Sequence, residues 1–185
     1  INFYYANLGV FPIDTFFHYD SSYRILNNEY PIRDFWTVSG LSVDLIQSIF
    51  FKIFGISWFS HILHSSFFNC LISVLIFNFF LKLKINRNKS LVYTLCFSTL
   101  AYTISGTPFV DHHAVFFLMI GSLLLIDVIY KPDKEYLWFL VVLALFFSFI
   151  SKQVPLAYAI IFQSPLVLYY LVKKNNLRPV KLVLL

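Results

Sequence analysis

Charged residues are scarce in this chain. Asp, Glu, Lys and Arg make up only 12% of its 185 residues, whereas 59% are hydrophobic. A soluble domain needs about 25% charged residues to cover its water-facing surface. The shortage therefore excludes an ordinary soluble domain and predicts a protein that is solvated mainly by lipid.

Cysteines and targeting signals are also sparse. The two cysteines, Cys70 and Cys96, lie inside apolar runs and lack the spacing of metal ligands. We therefore expect them to be small packed side chains. The chain has neither an initiator Met nor the charged start of a signal peptide, and it ends within an apolar stretch. We expect it to be a fragment of a longer protein.

Basic residues exceed acidic ones, with 14 Lys and Arg against 9 Asp and Glu. Nucleic-acid-binding proteins share such an excess, but they interleave it with aromatic residues on a soluble surface. Here the basic residues form short clusters between apolar runs, which is typical of orientation signals in membrane proteins. We therefore expect the lipid bilayer as a partner and no nucleic acid.

Five apolar runs predict membrane-spanning helices, because such a helix needs about 20 mainly apolar residues. They cover residues 57–83, 90–105, 114–130, 136–150 and 154–172, and a further span would start at 179–185. Residues 1–11 could be the end of a preceding span, and residues 12–56 form a long first outer loop. The sequence thus predicts a single all-α domain over residues 1–185, a polytopic transmembrane helix bundle.

The basic clusters indicate the orientation of this bundle. Because successive spans alternate in direction, the loops 82–89, 131–135 and 173–181 share one face, and they carry ten of the fourteen Lys and Arg. The positive-inside rule makes that face cytoplasmic. We predict an integral, multi-pass protein of the inner (plasma) membrane, with its active face on the outer, periplasmic side.

The first outer loop contains an amphipathic segment. From Leu41 to Phe54, apolar residues recur at helical spacing, and polar residues such as Asp44 and Gln47 occupy the other face. This pattern predicts a helix that lies in the membrane interface and ends at Gly55. A loop of this length with its own helix exceeds what a linker requires.

Ionisable residues gather in three parts of the predicted outer face. They are the stretch 14–34, the turn with Asp111 and His112, and Lys152 after the fourth span. A helix bundle would bring these parts around one cavity. Ionisable groups at a membrane boundary are costly unless they are paired or functional, so we expect a site there.

Each candidate also has a purely structural explanation. Asp14 could cap a helix N-terminus, and Asp20 could form an exposed helical pair with Arg24. Lys152 could extend its amine from an apolar span into water.

The histidines favour polar contacts over metal binding. His61 and His64 lie on one helix face, where an aqueous boundary or a bond to a neighbouring helix would satisfy them. The adjacent His112 and His113 point in different directions and make a poor chelate. We predict no metal site from these residues.

The order of these features resembles the GT-C superfamily of membrane glycosyltransferases. The likeness is greatest to the protein mannosyltransferase-like group (glycosyltransferase family 39) and to the lipid A aminoarabinose transferases. In that group a first outer loop opens with a catalytic Asp, continues through an aromatic helix to Tyr-Pro and Arg-Asp, and closes with an amphipathic helix ending in Phe-Gly. The corresponding positions here are Asp14, Tyr30-Pro31, Arg33-Asp34 and Phe54-Gly55. Two positions depart from the pattern: Thr15 replaces a second acid, and Glu29 replaces a small residue.

The resemblance implies transfer of a sugar from a polyprenyl-phosphate-linked donor to a lipid, glycan or protein acceptor. Asp14 would be the catalytic base that removes the proton of the acceptor hydroxyl. Asp111 is similar to the family's second acidic residue, and Lys152 to the lysine that stabilises the departing lipid phosphate. The further substrate-binding candidates are Asp20, Arg24, Arg33, Asp34 and His112. The cofactor stays open, because Thr15 weakens the support for a divalent metal.

Other functions compete with this one. A transporter or flippase for a lipid-linked saccharide would place ionisable residues near the bilayer midplane on broken helices. Here the span centres are not charged, although Gln163-Ser164-Pro165 forms a polar stretch in the fifth span. A non-catalytic membrane assembly subunit would need no convergence of Asp14, Asp111 and Lys152. An O-antigen polymerase or ligase would be expected to carry its large outer loop later in the chain.

Overall fold

The computed structural model describes residues 1–37, 40–101, 106–130, 134 and 136–173, and these ranges contain helices and no strand. The predicted all-α class is therefore confirmed. The helices in chain order are α1 Asn2–Tyr5, α2 Pro12–Leu26, α3 Ser42–Phe54, α4 Trp58–Lys82, α5 Arg87–Leu100, α6 Val110–Tyr130, α7 Tyr136–Ser151 and α8 Gln153–Lys173.

Three helices are long and apolar enough to cross a membrane. They are α4 with 25 residues, α6 with 20 residues up to Ile129, and α8 with 21 residues. The predicted span 136–150 corresponds to α7, which is apolar but has only 16 residues. The chain is thus consistent with a membrane protein that has at least three spanning helices.

Two helices begin earlier than the apolar runs suggest. α6 begins at Val110, because His113 bonds back to the Phe109 carbonyl through both its backbone N–H and its ring Nδ1, at 3.1 and 2.9 Å. α5 begins at Arg87, where the side chain of Asn86 accepts a bond from the Asn88 N–H at 2.9 Å and caps the helix. The predicted span 90–105 extends past the end of α5, but its residues 102–105 lie outside the described residues. So does the predicted span start at 179–185.

The long helices run antiparallel to their neighbours in the chain. At one end of the bundle, the start of α6 meets the junction of α7 and α8 through Asp111 and Lys152. At the other end, Lys82 of α4 binds Asp127 of α6 at 2.6 Å, and the Tyr170 hydroxyl of α8 donates to the Ile129 carbonyl at 2.7 Å. We call these the Asp111 end and the Asp127 end.

The bundle is held together by aromatic and small side chains. Between α4 and α6, the Phe68 and Phe117 rings meet edge to face with centroids 5.5 Å apart. Between α6 and α7, a Cβ added to Gly121 would lie 2.9 Å from Leu145 Cδ2, and the Ser148 hydroxyl donates to the Ala114 carbonyl at 2.8 Å. Small residues at such an interface let helix backbones approach, and the resulting van der Waals contact holds helices together in lipid.

The amphipathic helix α3 turns its polar face toward the protein. Asp44 and Gln47 are buried, whereas Leu45, Ile49 and Ile53 are 40%, 55% and 65% exposed. The helix is therefore the reverse of a water-soluble amphipathic helix. An apolar face of this kind requires lipid or another protein to cover it.

Gly40 allows the segment before α3 to lie against the end of α7. Its N–H donates to the Ser151 carbonyl at 3.1 Å, and a Cβ at this position would collide with the carbonyl oxygens of Ile150 and Ser151. We expect Gly40→Ala to destabilise the protein by about 1–3 kcal/mol, since backbone atoms cannot move aside like a flexible side chain. The thermal unfolding midpoint in detergent measures the effect. Gly9→Ala is the control, because no atom lies within 4 Å of its added Cβ; equal midpoints for the two variants would contradict this packing.

Candidate functional site

Asp111 and Lys152 form an ion pair at the Asp111 end. The Lys152 Nζ lies 2.5 Å from Asp111 Oδ1, although 41 residues separate the two in sequence. Asp111 stands in the first turn of α6, and Lys152 lies between α7 and α8 with its N–H bonded to the Ser148 carbonyl at 2.9 Å. Both side chains are about half exposed, at 45% and 41%. Part of each therefore remains open to a ligand.

The first residue of α3 contacts the junction of α7 and α8 next to Lys152. The hydroxyls of Ser42 and Ser151 are hydrogen-bonded to each other, and both residues are fully buried. The Ser151 hydroxyl also donates to the Phe147 carbonyl at 2.7 Å. Lys152 thus directly follows a residue, Ser151, that is hydrogen-bonded to both Gly40 and Ser42.

Asp14 lies near the start of α2, but it does not cap the helix. The N-cap residue is Phe11 and Pro12 is the first helical residue, so Asp14 is the third. A carboxylate in the first turn is stabilised by the helix dipole. Asp14 is half-buried, and in the described ranges its side chain has no hydrogen bond or ion pair. It is therefore available as a proton acceptor.

The helix that carries Asp14 is attached to the start of α6. The Thr15 hydroxyl lies 3.2 Å from the Thr107 hydroxyl, and both residues are buried. One turn later, the ring of His18 meets that of Phe109 edge to face at 6.3 Å. Asp14 is next to Thr15, and Asp111 follows Phe109 by two residues. The two acids therefore lie on segments of the chain that are in contact.

Asp20 and Arg24 form the exposed helical pair that the spacing predicts as the structural alternative. The Arg24 Nε donates to Asp20 Oδ2 at 2.8 Å, and Arg24 Nη1 reaches Glu29 Oε2 at 3.3 Å. Exposed pairs of this kind contribute little to stability, because water and salt screen them. Their evident role is to hold the end of α2 and the loop that follows it.

Asp34 and Arg33 fix the next turn. Arg33 donates two bonds to the Asp34 carboxylate, at 2.8 and 2.7 Å, and the Tyr30 N–H donates a third at 2.7 Å. The Arg33 bond, followed by that from Tyr30, lowers the pKa of Asp34 to about 2. In the described part of the chain, no hydrogen bond or ion pair joins Asp20, Arg24, Arg33 or Asp34 to the Asp111–Lys152 pair.

The ring of His112 lies among aromatic residues of its own helix end. It lies over Phe116 with centroids 6.3 Å apart and faces Phe109 at 5.9 Å. The residue is half-buried. His112 is next to Asp111 in the sequence, but its ring contacts with Phe109 and Phe116 are packing contacts.

Sequence reasoning missed a buried polar network beneath this end. His18 of α2 lies 2.7 Å from Asp44 of α3, and Gln47 of α3 contacts both His61 and His64 of α4, at 3.1 and 2.9 Å. The amphipathic pattern alone suggests that the polar face of α3 meets water. The network could have been anticipated from the polar face of α4, formed by His61 and His64, which matches the polar face of α3.

Asp44 is a buried acid in this network. It is 1% exposed, and its Oδ2 has no partner among the described residues. Burial raises the pKa of the Asp44 carboxyl, while the bond with His18 acts in the opposite direction. The group therefore holds a proton more readily in the folded protein than in the unfolded chain.

Asp44→Asn should retain the fold, whereas Asp44→Ala should destabilise it by about 1–3 kcal/mol by leaving His18 without a partner. A raised pKa means that the contribution of Asp44 to stability is fully present below the unfolded value of about 3.9 and is lost as pH rises through the folded value. The wild type should therefore lose stability relative to Asp44→Asn with rising pH. The thermal unfolding midpoints of the wild type and of Asp44→Asn, measured from below about pH 3.9 upward, give this difference. Midpoints that change in parallel with pH would contradict the prediction.

Cavities lie between the described helices. One of about 380 Å³ is an open groove lined by α6, α7 and α8, with almost entirely apolar walls apart from Gln163 and Ser164. Another, of about 520 Å³, lies between α4 and α6 and includes Lys82 and Asp127. Among the residues that the structure describes, no three His, Cys, Asp or Glu side chains are arranged to hold a metal ion.

The Asp111 end therefore combines the Lys152 amine, its carboxylate partner and an attached helix that carries Asp14. No protein-family model, curated protein or solved structure matches this chain. Chemically, the Lys152 amine can exchange one anionic partner for another, and a phosphate is a strong acceptor for it. Asp14 can accept a proton from a hydroxyl that is brought next to it.

Proposed function

We propose that this chain belongs to a membrane glycosyltransferase that moves a sugar from a polyprenyl-phosphate-linked donor to an acceptor at the outer membrane face. The observation that carries the proposal is the 2.5 Å pair of Asp111 and Lys152 at the bundle end to which the Asp14 helix is attached. A fixed cation and a carboxylate that can accept a proton, at one membrane boundary, are the two groups that such a transfer requires.

Each group has a defined part in the transfer. The acceptor hydroxyl oxygen attacks the anomeric carbon, and Asp14 takes its proton as the new bond forms. The bond from the anomeric carbon to the phosphate oxygen breaks, so the polyprenyl phosphate leaves with the additional negative charge. Lys152 stabilises that charge, and Asp111 positions the amine until the phosphate arrives.

The placement in the membrane is part of the proposal. We infer that α4, α6 and α8 span the bilayer, that α7 is a short fourth span, and that α5 belongs to a fifth. The exposed apolar face of α3, with Ile49 and Ile53, supports a position in the outer membrane interface. In this orientation the Asp111 end faces the periplasm and the Asp127 end faces the cytoplasm.

The cavity between α6, α7 and α8 suits part of the polyprenyl chain. Its volume is about 380 Å³ and its walls are almost entirely apolar. It is formed by the same helices that place Asp111 and Lys152, so a lipid tail in it could run toward a phosphate at the Asp111 end. An apolar tail would also explain why the transfer takes place within so hydrophobic a protein.

A binding measurement that does not depend on the sugar tests the proposal. The full chain in lipid nanodiscs should bind a polyprenyl phosphate at least about tenfold more tightly than the polyprenol of the same length, since a charge-assisted bond contributes about 1.5–3 kcal/mol. Transfer from radiolabelled polyprenyl-phosphate sugars should then be detected with at least one donor. Equal affinity for both lipids would contradict the proposal, and phosphate-dependent binding with lipid translocation but no transfer would favour a transporter.

A further inference from the structure

A cluster of four side chains is fully buried where α3, α4 and α6 meet. Gln47, His61, His64 and His113 are each 0% exposed. Gln47 Oε1 lies 3.1 Å from His61 Nδ1 and 2.9 Å from His64 Nδ1. The Nε2 atoms of His64 and His113 are 3.1 Å apart, and His113 Nδ1 lies 2.9 Å from the Phe109 carbonyl.

The hydrogen bonds of this cluster, as they stand, require one proton more than neutral side chains carry. Carbonyl oxygens only accept, so Nδ1 of His61, His64 and His113 must each carry a hydrogen. The contact between the two Nε2 atoms needs one more, because two lone pairs would otherwise face each other. His64 and His113 together then hold three ring protons, whereas two neutral imidazoles hold two.

A second arrangement satisfies the same contacts without the extra proton. If the Gln47 amide is reversed, its NH₂ group donates to Nδ1 of both His61 and His64. The proton of His64 then lies on Nε2 and is donated to His113 Nε2, while His113 keeps its own on Nδ1. The single proton of His61 moves from Nδ1 to Nε2. All the side chains are neutral, and the cluster differs from the first arrangement by one proton.

We propose that Gln47, His61, His64 and His113 form a buried proton-binding site in which uptake of one proton reverses the Gln47 amide and changes the tautomer of His61. The ligand is a single proton, shared between the Nε2 atoms of His64 and His113. His61 takes no proton itself, but its tautomer follows because it shares the Gln47 amide with His64. The site is separate from the proposed sugar transfer and does not depend on it.

The surroundings suit a shared positive charge. Phe50 stacks on His64 with ring centroids 5.0 Å apart, whereas Phe68 meets His64 in a T-shaped contact at 5.3 Å and is tilted against His113 at 4.9 Å. Aromatic faces attract a cation at such distances. The charge would thus be bordered by rings and by the Gln47 carbonyl.

The other titratable groups near the cluster lie on α2, α3 and α6 and at the Asp111 end. α2 contributes His18 and Tyr19, the latter with its ring 5.3 Å from that of His61. α3 contributes Asp44, which is paired with His18, and α6 contributes His112. Asp111 and Lys152 face each other at the helix end, and α7 carries no charged residue. Asp44 lies one turn before Gln47 on the same helix.

Nitrogen NMR of the histidine rings tests the proposal on the full chain in lipid bilayers. Histidine-labelled protein is titrated through the range in which histidine changes charge, about pH 5 to 8. We expect uptake of one proton by the His64–His113 pair, with a coupling between their Nε2 atoms across the hydrogen bond. In the same step, His61 should remain neutral and move its proton from Nε2 to Nδ1. A His61 tautomer that stays constant, or a cluster that stays neutral throughout, would overturn the proposal.

Substitution of Gln47 separates this coupled change from independent titration. Gln47→Leu removes the amide, so the tautomer of His61 should no longer follow proton uptake by the pair. Gln163→Leu is the matched control, since Gln163 also lies within the bundle but bonds Ser122 at 2.9 Å. It should leave the His61 change intact, and loss of that change in the control alone would also refute the assignment. The wild-type titration decides the question if Gln47→Leu fails to fold.

Discussion

Asp14→Asn should abolish sugar transfer while leaving the binding of a polyprenyl phosphate unchanged. Asparagine has nearly the same shape as aspartate but cannot accept the proton of the acceptor hydroxyl. A positioned general base contributes about 10²- to 10⁴-fold to the rate, so we expect a loss of that size. Initial rates of transfer at saturating donor measure it, and they should be compared with donor affinity in the same nanodiscs.

The position of Asp14 makes this variant structurally mild. The residue lies in the first turn of α2, is half-buried and has no hydrogen bond or ion pair within the described ranges. Loss of its interaction with the helix dipole lowers stability by about 0.3–1 kcal/mol. A large loss of activity would therefore not come from unfolding.

Asp127→Asn is the matched control. Asp127 is also a carboxylate near a bundle end, but it binds Lys82 at the opposite end of α6. The proposal predicts that this control retains transfer. If Asp14→Asn kept most of its activity, Asp14 would not be the base, whereas an equal loss in both variants would point to a general effect on the bundle.

The helices were largely predictable because lipid imposes a simple rule on the sequence. Each spanning helix needs an unbroken apolar run, and this rule places α4, α6 and α8 to within a few residues. The starts of α5 and α6 were not predictable in the same way. They depend on the cap at Asn86 and on the back-bonding of His113, which place polar residues inside a helix.

The proximity of Asp111 and Lys152 was also predictable, because helices that alternate in direction along the chain bring both residues to one end. The partners of α3 were not. Its pattern of polar and apolar residues is the same whether the polar face meets water or protein, and the choice depends on His61 and His64, 14 and 17 residues beyond Gln47. Side-chain pairing between helices leaves little trace in one sequence.

Lys152→Gln should weaken binding of the polyprenyl phosphate by about 10- to 100-fold. One charge-assisted hydrogen bond contributes about 1.5–3 kcal/mol, and each 1.4 kcal/mol is a factor of ten in affinity. Binding of the polyprenol of the same length should not change, because that lipid carries no charge. Titrations of both lipids against the variant in nanodiscs measure the difference.

Lys82→Gln provides the control, since both substitutions remove the amine from a Lys–Asp pair at a bundle end. Lys82 binds Asp127 at 2.6 Å and Lys152 binds Asp111 at 2.5 Å. Both pairs are partly exposed to solvent, so their contributions to stability should be small and similar. If phosphate-dependent binding fell equally in the two variants, Lys152 would have only a structural role. If it fell in Lys152→Gln alone and returned in Lys152→Arg, the Asp111 end would be the place where the lipid phosphate is held, because arginine restores the positive charge with a different side-chain shape.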